Sequence, residues 1–337
     1  MFKPTKFKSL AAVAGACVAM FSATSANAYV YALSHVEIKD FVLNIQPTLA
    51  TTVNRYSFNL TNTASMLGNA APSSFAACTG TTSSTNCGVA PVLNAMAANA
   101  PGSTPMRIEN DFTFLGANGV SSYSGSDSLI TSAELVTGTP TALNQIAESL
   151  LNTNGQAQAN SEIQSNTSLS ISFTIASGPG PATLDLSFMA DPDQRAEVAG
   201  VVGDYLSQSN MNASITLTKR NGGQVGWRPQ GTLANDCTST MVGVVCSETN
   251  DLENLNNNAS AFFNPDTNDN SYDIAPIFSA FGIHLTGLTA GDYTIALNTV
   301  TSTSISRVVP EPGSLALIGV ALLGLGFVSA KRQTKQA

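Results

Sequence analysis

The sequence predicts a mainly β protein with the architecture of a β-sandwich of jelly-roll type, and three observations lead to that fold class. Residues 169–175 and 184–188 alternate apolar and mostly hydroxyl-bearing side chains, which is the two-residue period of a half-buried strand. A Gly/Pro-rich turn at 177–181 separates them and predicts either a hairpin or a crossover between two sheets. Charged residues make up only 11% of the chain, and its polar and small positions are mostly Ser, Thr, Asn and Ala, as in many extracellular β proteins.

The same two-residue period identifies strands on both sides of this pair. The segment 35–45 changes phase at Lys39 and Asp40, and a phase change inside one strand predicts a β-bulge at that point. The segment 54–60 is expected to pair antiparallel with it across a turn at 46–48. Further strands are predicted at 107–114, 212–219, 278–285 and 292–298.

Two short helices are predicted to pack on the sheets. The first begins after Thr139-Pro140, and its apolar residues recur at helical spacing: Leu143, Ile146, Ala147 and Leu150. The second begins at Asp191-Pro192, where Asp191 is a favourable N-cap. Its apolar face is formed by Val198, Val201, Val202 and Tyr205. Asp193 and Glu197 suit the positive end of this helix, and a catalytic or metal-binding role for the three acidic residues is the alternative interpretation.

No charged residue lies between Arg55 and Arg107. This stretch is predicted to be an elaborate surface loop with a short helix around 92–98, pinned by a disulfide. Four cysteines follow residue 28: Cys78, Cys87, Cys237 and Cys246. They permit three pairings, and the two equal short loops favour Cys78 with Cys87 and Cys237 with Cys246 in an oxidising compartment. A zinc site is disfavoured because close ligand spacing is missing.

The N-terminus has the three parts of a secretory signal peptide. Lys3, Lys6 and Lys8 precede an apolar stretch at 10–21, and the small residues Ala26 and Ala28 form the expected cleavage site. The signal peptide is therefore predicted at 1–28. Two alternatives are a retained anchor, for which the apolar stretch is short, and a lipoprotein modified at Cys17, for which too little apolar sequence precedes the cysteine.

The C-terminal segment 309–337 has three successive parts. Pro310, Glu311 and Pro312 form a stiff, extended tripeptide, because each proline fixes its own φ and pushes the preceding residue away from helical geometry. The uncharged run 314–330 is long enough for a membrane-spanning helix, and the basic end that follows, Lys331 and Arg332, is expected on the cytoplasmic side. The alternatives are an ordinary membrane anchor and, less favoured, a buried core helix.

This order of Pro-Glu-Pro, short apolar helix and basic end resembles the sorting signal of PEP-CTERM proteins, which are exported by Gram-negative bacteria. Pro310, Glu311 and Pro312 match the motif residue by residue, and the rest matches by residue type. The resemblance implies processing near the motif by exosortase, a membrane enzyme. It also implies a route through the general secretion machinery and a transient inner-membrane stage to the cell surface or extracellular medium.

Residues 29–308 are predicted to form the exported β-rich part, as one large domain or two smaller ones. Its charge is strongly negative, because six of the 14 basic residues of the chain lie in the two terminal signals. This charge argues against nucleic acid and anionic lipid as partners, and it suits solubility or the binding of divalent cations.

Three features of the body are candidate functional sites. Trp227 would stack on a sugar ring if exposed, whereas most single tryptophans are packing residues. Asp266, Asn268, Asn270 and Asp273 offer oxygen ligands at a spacing that calcium accepts, although the EF-hand pattern fails; the alternative is a solvated turn-rich loop. His284 alternates with apolar residues and is expected to face solvent or a neighbour.

The sequence contains no catalytic signature of a serine hydrolase, phosphate-binding loop or zinc protease, so no catalytic residues are predicted. We expect an exported protein with a structural or adhesive role in an exopolysaccharide or biofilm matrix, without a cofactor unless calcium binds. The matrix role follows from the resemblance. The alternative function is a carbohydrate-binding module or a polysaccharide hydrolase, because acidic residue pairs alone do not exclude glycoside hydrolysis.

Overall fold

A computed structural model describes residues 29–46, 51–80, 85–95, 107–117, 121–132, 141–153, 155–163, 169–199, 204–232, 236–262 and 268–308. Every regular element in these ranges is a strand. The first nine are β1 (Tyr29–Gln46), β2 (Thr51–Met66), β3 (Asn69–Ala70), β4 (Ser74–Gly80), β5 (Thr85–Ala95), β6 (Tyr123–Ser132), β7 (Thr141–Leu151), β8 (Gly155–Ile163) and β9 (Leu169–Ile175). The second nine are β10 (Ala182–Ala199), β11 (Asp204–Lys219), β12 (Gln224–Trp227), β13 (Cys237–Ser239), β14 (Val245–Asp251), β15 (Asn258–Phe262), β16 (Asn268–Tyr272), β17 (Ser279–Leu288) and β18 (Gly291–Val308).

The strands form two antiparallel sheets that face each other. Sheet A has eight strands in the order β14, β17, β10, β1, β7, β6, β5, with β16 paired to β10. Sheet B has ten, in the order β13, β12, β11, β18, β8, β2, β3, with β15 on β11, β4 on β2, and β9 between β18 and β2. The prediction of a mainly β protein is confirmed.

Several consecutive strands belong to different sheets. The chain crosses from one sheet to the other between β1 and β2, between β9 and β10, and between β17 and β18. The predicted pairing of the first two strands is therefore wrong, and 177–181 is a crossover rather than a hairpin. The predicted bulge is confirmed, because the pairing of β1 shifts between Lys39 and Val42 and Asp40 has a φ of 56°.

The layer between the sheets changes character along its length. In β18 the inward side chains are Tyr293, Ile295 and Leu297 and then Thr299, Thr301 and Thr303, all buried. The first half belongs to a large apolar core around Phe41, Phe188, Trp227 and Phe281. The second half begins with small hydroxyl-bearing side chains and ends in a smaller apolar cluster that includes Val30, Tyr205 and Ile305.

Hydroxyl groups in this second half bond directly across the two sheets. Ser207 Oγ on β11 donates to the backbone carbonyl of Tyr31 on β1 at 2.5 Å, and Ser209 Oγ donates to the carbonyl of Leu33. Ser149 Oγ lies 2.8 Å from Thr303 Oγ1. Since small side chains let the sheets approach closely, polar residues here stabilise the interior instead of facing solvent.

Both predicted helices are strands, and the first was misread because β7 is buried on both faces. Ala147 and Ser149 face sheet B, whereas Ile146, Glu148 and Leu150 face the segment 107–117, which covers the outer face of sheet A. A strand that is covered on both sides loses the alternation that marks an exposed face. Its apolar residues then match a helical spacing by coincidence.

The second predicted helix, from Asp191 onward, is the end of β10. Pro192 is inward and buried in the pairing with Val36, and Asp191 and Asp193 lie on the outer face instead of capping a helix. The predicted strand 107–114 is irregular. The predicted loop between Arg55 and Arg107 contains β3, β4 and β5, and β5 occupies much of the predicted helix at 92–98.

Cys237 and Cys246 form the predicted disulfide, with their Cα atoms 5.9 Å apart. It joins β13 at the edge of sheet B to β14 at the edge of sheet A. Cys78 on β4 is also disulfide-bonded. The side chain of Cys87 on β5 lies outside the described side chains, so its pairing stays a prediction.

Candidate functional site

The residues with the most unusual environments lie on the outer face of sheet A, around the middle of β1. Cross-strand pairing places His35 opposite Asp193 of β10 and Ile146 of β7, and Glu37 opposite Asp191 and Asn144. These side chains share the outer face because they alternate with the inward residues of the same strands. The segment 107–117 covers part of this face.

A buried ion pair fastens that covering segment. Arg107 Nη2 donates to Glu148 Oε2 at 2.6 Å, and both side chains are almost completely buried. The same carboxylate accepts hydrogen bonds from the backbone N–H groups of Leu115 and Gly116 and from the hydroxyl of Tyr31. Burial and the neighbouring Glu148 raise the pKa of Tyr31, so its hydroxyl keeps the proton that it donates.

His35 is held on both of its ring nitrogens. Nδ1 lies 3.0 Å from Asp193 Oδ2, and Nε2 lies 2.8 Å from Asn144 Oδ1. Phe114 packs edge-on against the imidazole ring with 5.4 Å between ring centroids. With both nitrogens engaged and an aromatic ring over it, His35 is a structural link between β1, β7 and β10.

An acidic cluster lies beside His35, and we define it as Glu37, Asp191, Asp193, Glu253 and Asp273. Burial, followed by repulsion from Asp193 and Asp273, raises the pKa of Asp191 to about 7. Burial also raises the pKa of Asp193 and of Glu253, and Asp273 contributes to both shifts. Asp191 and Asp193 are 4% and 5% exposed. Two of the five carboxyl groups therefore lie where little water reaches them.

A second acidic group lies between the sheet edges, near Trp227. One ligand atom each from Asp236, Glu248 and Asp251 lies within 4.8 Å of the others. Here hydrogen bonds from the protein stabilise the carboxylates. Trp227 Nε1 donates to Glu248 Oε1 at 2.5 Å, and the N–H groups of Gln230 and Gly231 donate to Asp251. This group could hold a metal, but its carboxylates are already hydrogen-bonded.

The predicted site residues are distributed as follows. Trp227 is 1% exposed and packs against Phe188 in the core, so the packing interpretation is confirmed and the exposed sugar platform is wrong. His284 is on the outer face, with Nδ1 2.5 Å from Asp185 Oδ1. Of the predicted calcium ligands, Asn270 lies within β16, where its amide donates to the carbonyl of Ser260, whereas Asp273 belongs to the acidic cluster.

Asn268 and Asn270 are therefore in a strand that pairs with β10, and Asp273 follows that strand. A calcium site formed by the four predicted residues stays a prediction. Asp266 and the side chain of Asn268 lie outside the described part of the chain. Sequence reasoning considered Asp191 and Asp193 only as helix caps or as a cluster with Glu197. Their alternation with Pro192 and Gln194 was the signal that could have placed them on one face of a strand.

Within the described ranges, no helix has the length and apolarity to cross a membrane. The predicted signal peptide at 1–28 with Ala26 and Ala28, and the predicted spanning helix at 314–330, lie outside those ranges.

Residues 308–332 match the family described as PEP-CTERM protein-sorting motif. No curated protein matches the chain. A solved structure titled "Structure of infectious bursal disease virus Gx strain" aligns over 86% of this chain and 81% of that chain, with 10% identity and a TM-score of 0.09. A TM-score of this size carries no argument about the fold.

Proposed function

We propose that the body of this protein is a non-enzymatic structural and adhesive component of an extracellular polysaccharide matrix. The premise is that residues 308–332 carry the PEP-CTERM protein-sorting motif, so the chain is an exported protein sorted by exosortase. The motif implies a cell-surface or extracellular fate. The proposal adds what the body does there, with exopolysaccharide as partner and the general secretion machinery and inner membrane as earlier stages.

The observation that carries the proposal is the outer face of sheet B. Apart from Asp204, Asp292 and a few apolar residues such as Val300, its described side chains on the central strands are uncharged, mostly short and half-buried, and carry hydroxyl or amide groups: Ser57, Asn59, Thr61 and Thr63 on β2, Ser170, Ser172 and Thr174 on β9, Asn210, Ser214 and Thr216 on β11, and Thr294, Asn298 and Ser302 on β18. Each such group offers hydrogen-bond donors and acceptors. A broad face of this kind complements the hydroxyl groups of a glycan without selecting for charge.

The buried polar residues support a structural role for the body. His35, Glu148 and Trp227 are each engaged in internal hydrogen bonds and shielded from solvent. The disulfide between Cys237 and Cys246 ties the edges of the two sheets together. Such features suit a protein that must stay folded outside the cell.

The test is binding of the full chain, purified in detergent, to exopolysaccharide from the producing organism. We expect saturable binding that weakens by several-fold in the double variant Thr61→Val/Thr216→Val, which removes two hydroxyls from the outer face of sheet B. The matched control is Thr183→Val on β10 of sheet A, which should bind as the wild type does. Equal binding by all three proteins, or no binding, would contradict the adhesive role.

A second candidate is a polysaccharide hydrolase, favoured by one observation. Asp191, with a pKa of about 7, lies beside Asp193 on the same face, and a protonated carboxyl near a second carboxyl is the pairing that glycoside hydrolysis uses. Release of reducing ends from the same polysaccharide, abolished by Asp191→Asn, would favour this function over the structural one.

A further inference from the structure

Strand β18 carries the chain from the body of the protein directly to the sorting motif. β18 is paired with β11 up to its last residue, where Val308 lies opposite Asp204, and the family match begins at that residue. On its other side β18 pairs with β8 and β9, so it is an interior strand of sheet B. The pairing therefore fixes the point at which the chain leaves the body, at one end of the sandwich.

Three apolar side chains lie together on the outer face of sheet B at this end, and we define the apolar corner as Leu206, Phe262 and Val308. Each alternates with a buried residue of its own strand. Leu206 pairs directly with Phe262 and lies diagonally across from Val308, within reach of side chains on one face. Phe262 is 57% exposed and Val308 is 55% exposed. This corner is more apolar than the hydroxyl-bearing middle of the same face.

The length of the connection decides which part of the body can approach a membrane. The sequence predicts a membrane-spanning helix at 314–330, and five residues, 309–313, separate it from Val308. Even fully extended, a connection of this length reaches only about 20 Å. The 18 residues of β18 measure about 60 Å. An anchored chain therefore holds the end of the body with the apolar corner beside the lipid and keeps the opposite end away from it.

The distribution of charge favours the same orientation. Among the described residues on the outer face of sheet B at this end, Asp204 is the one acidic group. The outer face of sheet A carries several acidic side chains: Glu37, Asp185, Asp193, Glu197 and Asp269. A surface of anionic lipid repels carboxylates. The body should therefore turn the outer face of sheet A away from the membrane and its apolar corner toward it.

We propose that the apolar corner is a lipid-contact surface that rests on the membrane before exosortase processes the chain. Phe262 and Val308 enter the headgroup region, where exposed apolar side chains leave water and aromatic and aliphatic residues are favoured. The inference rests on the inner-membrane stage of the proposed function, and it adds which residues of the body touch the lipid. The hydroxyl-bearing middle of sheet B, farther from the membrane, stays open to polysaccharide.

The experiment uses the full chain reconstituted into vesicles of phosphatidylethanolamine and phosphatidylglycerol that include a lipid with a nitroxide quencher on its headgroup. Trp227 is the only tryptophan of the chain and is 1% exposed, so it contributes a constant background that the quencher does not reach. Phe262→Trp places a second tryptophan in the apolar corner. We expect the nitroxide lipid to quench this variant several-fold more strongly than the wild type.

The matched control is Val242→Trp. Val242 is 97% exposed and lies between β13 and β14, in a connection that contacts Gly287 near the start of β18, at the opposite end of the body. This variant should be quenched no more than the wild type. Val308→Trp repeats the measurement in the apolar corner if Phe262→Trp does not fold.

A further variant tests whether the apolar corner itself touches the lipid. Phe262→Asp/Val308→Trp places a carboxylate in the corner, and a carboxylate is costly to bury and is repelled by phosphatidylglycerol. We expect it to be quenched several-fold less than Val308→Trp. Circular dichroism of each variant confirms that the strands are retained.

Equal quenching of Phe262→Trp and Val242→Trp, or no quenching at either position of the corner, would overturn the proposal. Quenching of Phe262→Asp/Val308→Trp as strong as that of Val308→Trp would also overturn it, because the short connection alone would then bring this end to the lipid. The vesicles contain no polysaccharide, so the result is independent of whether the body binds a glycan.

Discussion

The substitution Glu148→Gln tests how the segment 107–117 is held against sheet A. Glu148 receives hydrogen bonds from four donors, the guanidinium of Arg107, two backbone N–H groups and the hydroxyl of Tyr31. A glutamine of the same shape has a single acceptor oxygen and adds an N–H₂ group that faces other donors. The guanidinium of Arg107 is left buried without a counter-charge.

Removing one partner of a buried ion pair costs about 3–5 kcal/mol. At roughly 2–4 °C per kcal/mol for a large domain, we expect Tm to fall by roughly 6–20 °C, measured by circular dichroism and confirmed by urea unfolding. The double variant Arg107→Met/Glu148→Gln should recover part of the loss, because it removes the uncompensated charge.

The matched control is Arg220→Gln, which breaks an exposed ion pair with Asp292 whose closest atoms are 3.6 Å apart. Exposed pairs contribute about 0–1 kcal/mol, so the control should change Tm little. A loss below about 1 kcal/mol in Glu148→Gln, or a double variant that is no more stable than Glu148→Gln, would refute the argument that this ion pair fastens the covering segment.

Three further predictions concern pH, the disulfide and the core. Asp127 and Asp191 each have a pKa of about 7 because of burial, so the folded state keeps protons that the unfolded chain releases. In the presence of a chelator, the free energy of unfolding should therefore fall as pH rises from about 4 to 7, by up to about 4 kcal/mol per group. A free energy of unfolding that does not change over this pH range would contradict the prediction. Replacing both Cys237 and Cys246 by Ser should cost about 2–3 kcal/mol in urea unfolding under oxidising conditions, with no difference from the wild type once both are reduced. Phe188→Ala should lower the free energy of unfolding by about 3–5 kcal/mol, since the ring packs against three aromatic neighbours; a loss under 1 kcal/mol would mean that the core collapses around the gap.

The strands with one covered face could be predicted from sequence, and the strands with two covered faces could not. In β9 the residues Ile171 and Phe173 alternate with hydroxyl-bearing side chains, and the alternation matches the structure. In β7 both faces are buried, because sheet B lies on one side and the segment 107–117 on the other. Alternation reports the difference between two environments, so it disappears when both environments are dry.

Alternation in the sequence also failed to identify the polar residues of the interior. Thr299, Thr301 and Thr303 continue the inward side of β18, yet hydroxyl groups in an alternating strand indicate the solvent face. Only the close approach of the two sheets turns such residues into interior ones, because the hydroxyls of Thr299 and Thr303 then reach partners in the opposite sheet.

By itself, the sequence determined the destination and the local geometry. The sorting motif, the mainly β class, the bulge at Asp40 and the pairing of Cys237 with Cys246 each depend on residues that are close together in the chain. The tertiary structure alone decided which strands share a sheet, that Trp227 is buried, and that Asp191 and Asp273 meet in one acidic cluster. The physical reason is that the charge and burial at such a site come from segments far apart in sequence, and their contributions exist only once the sheets have packed.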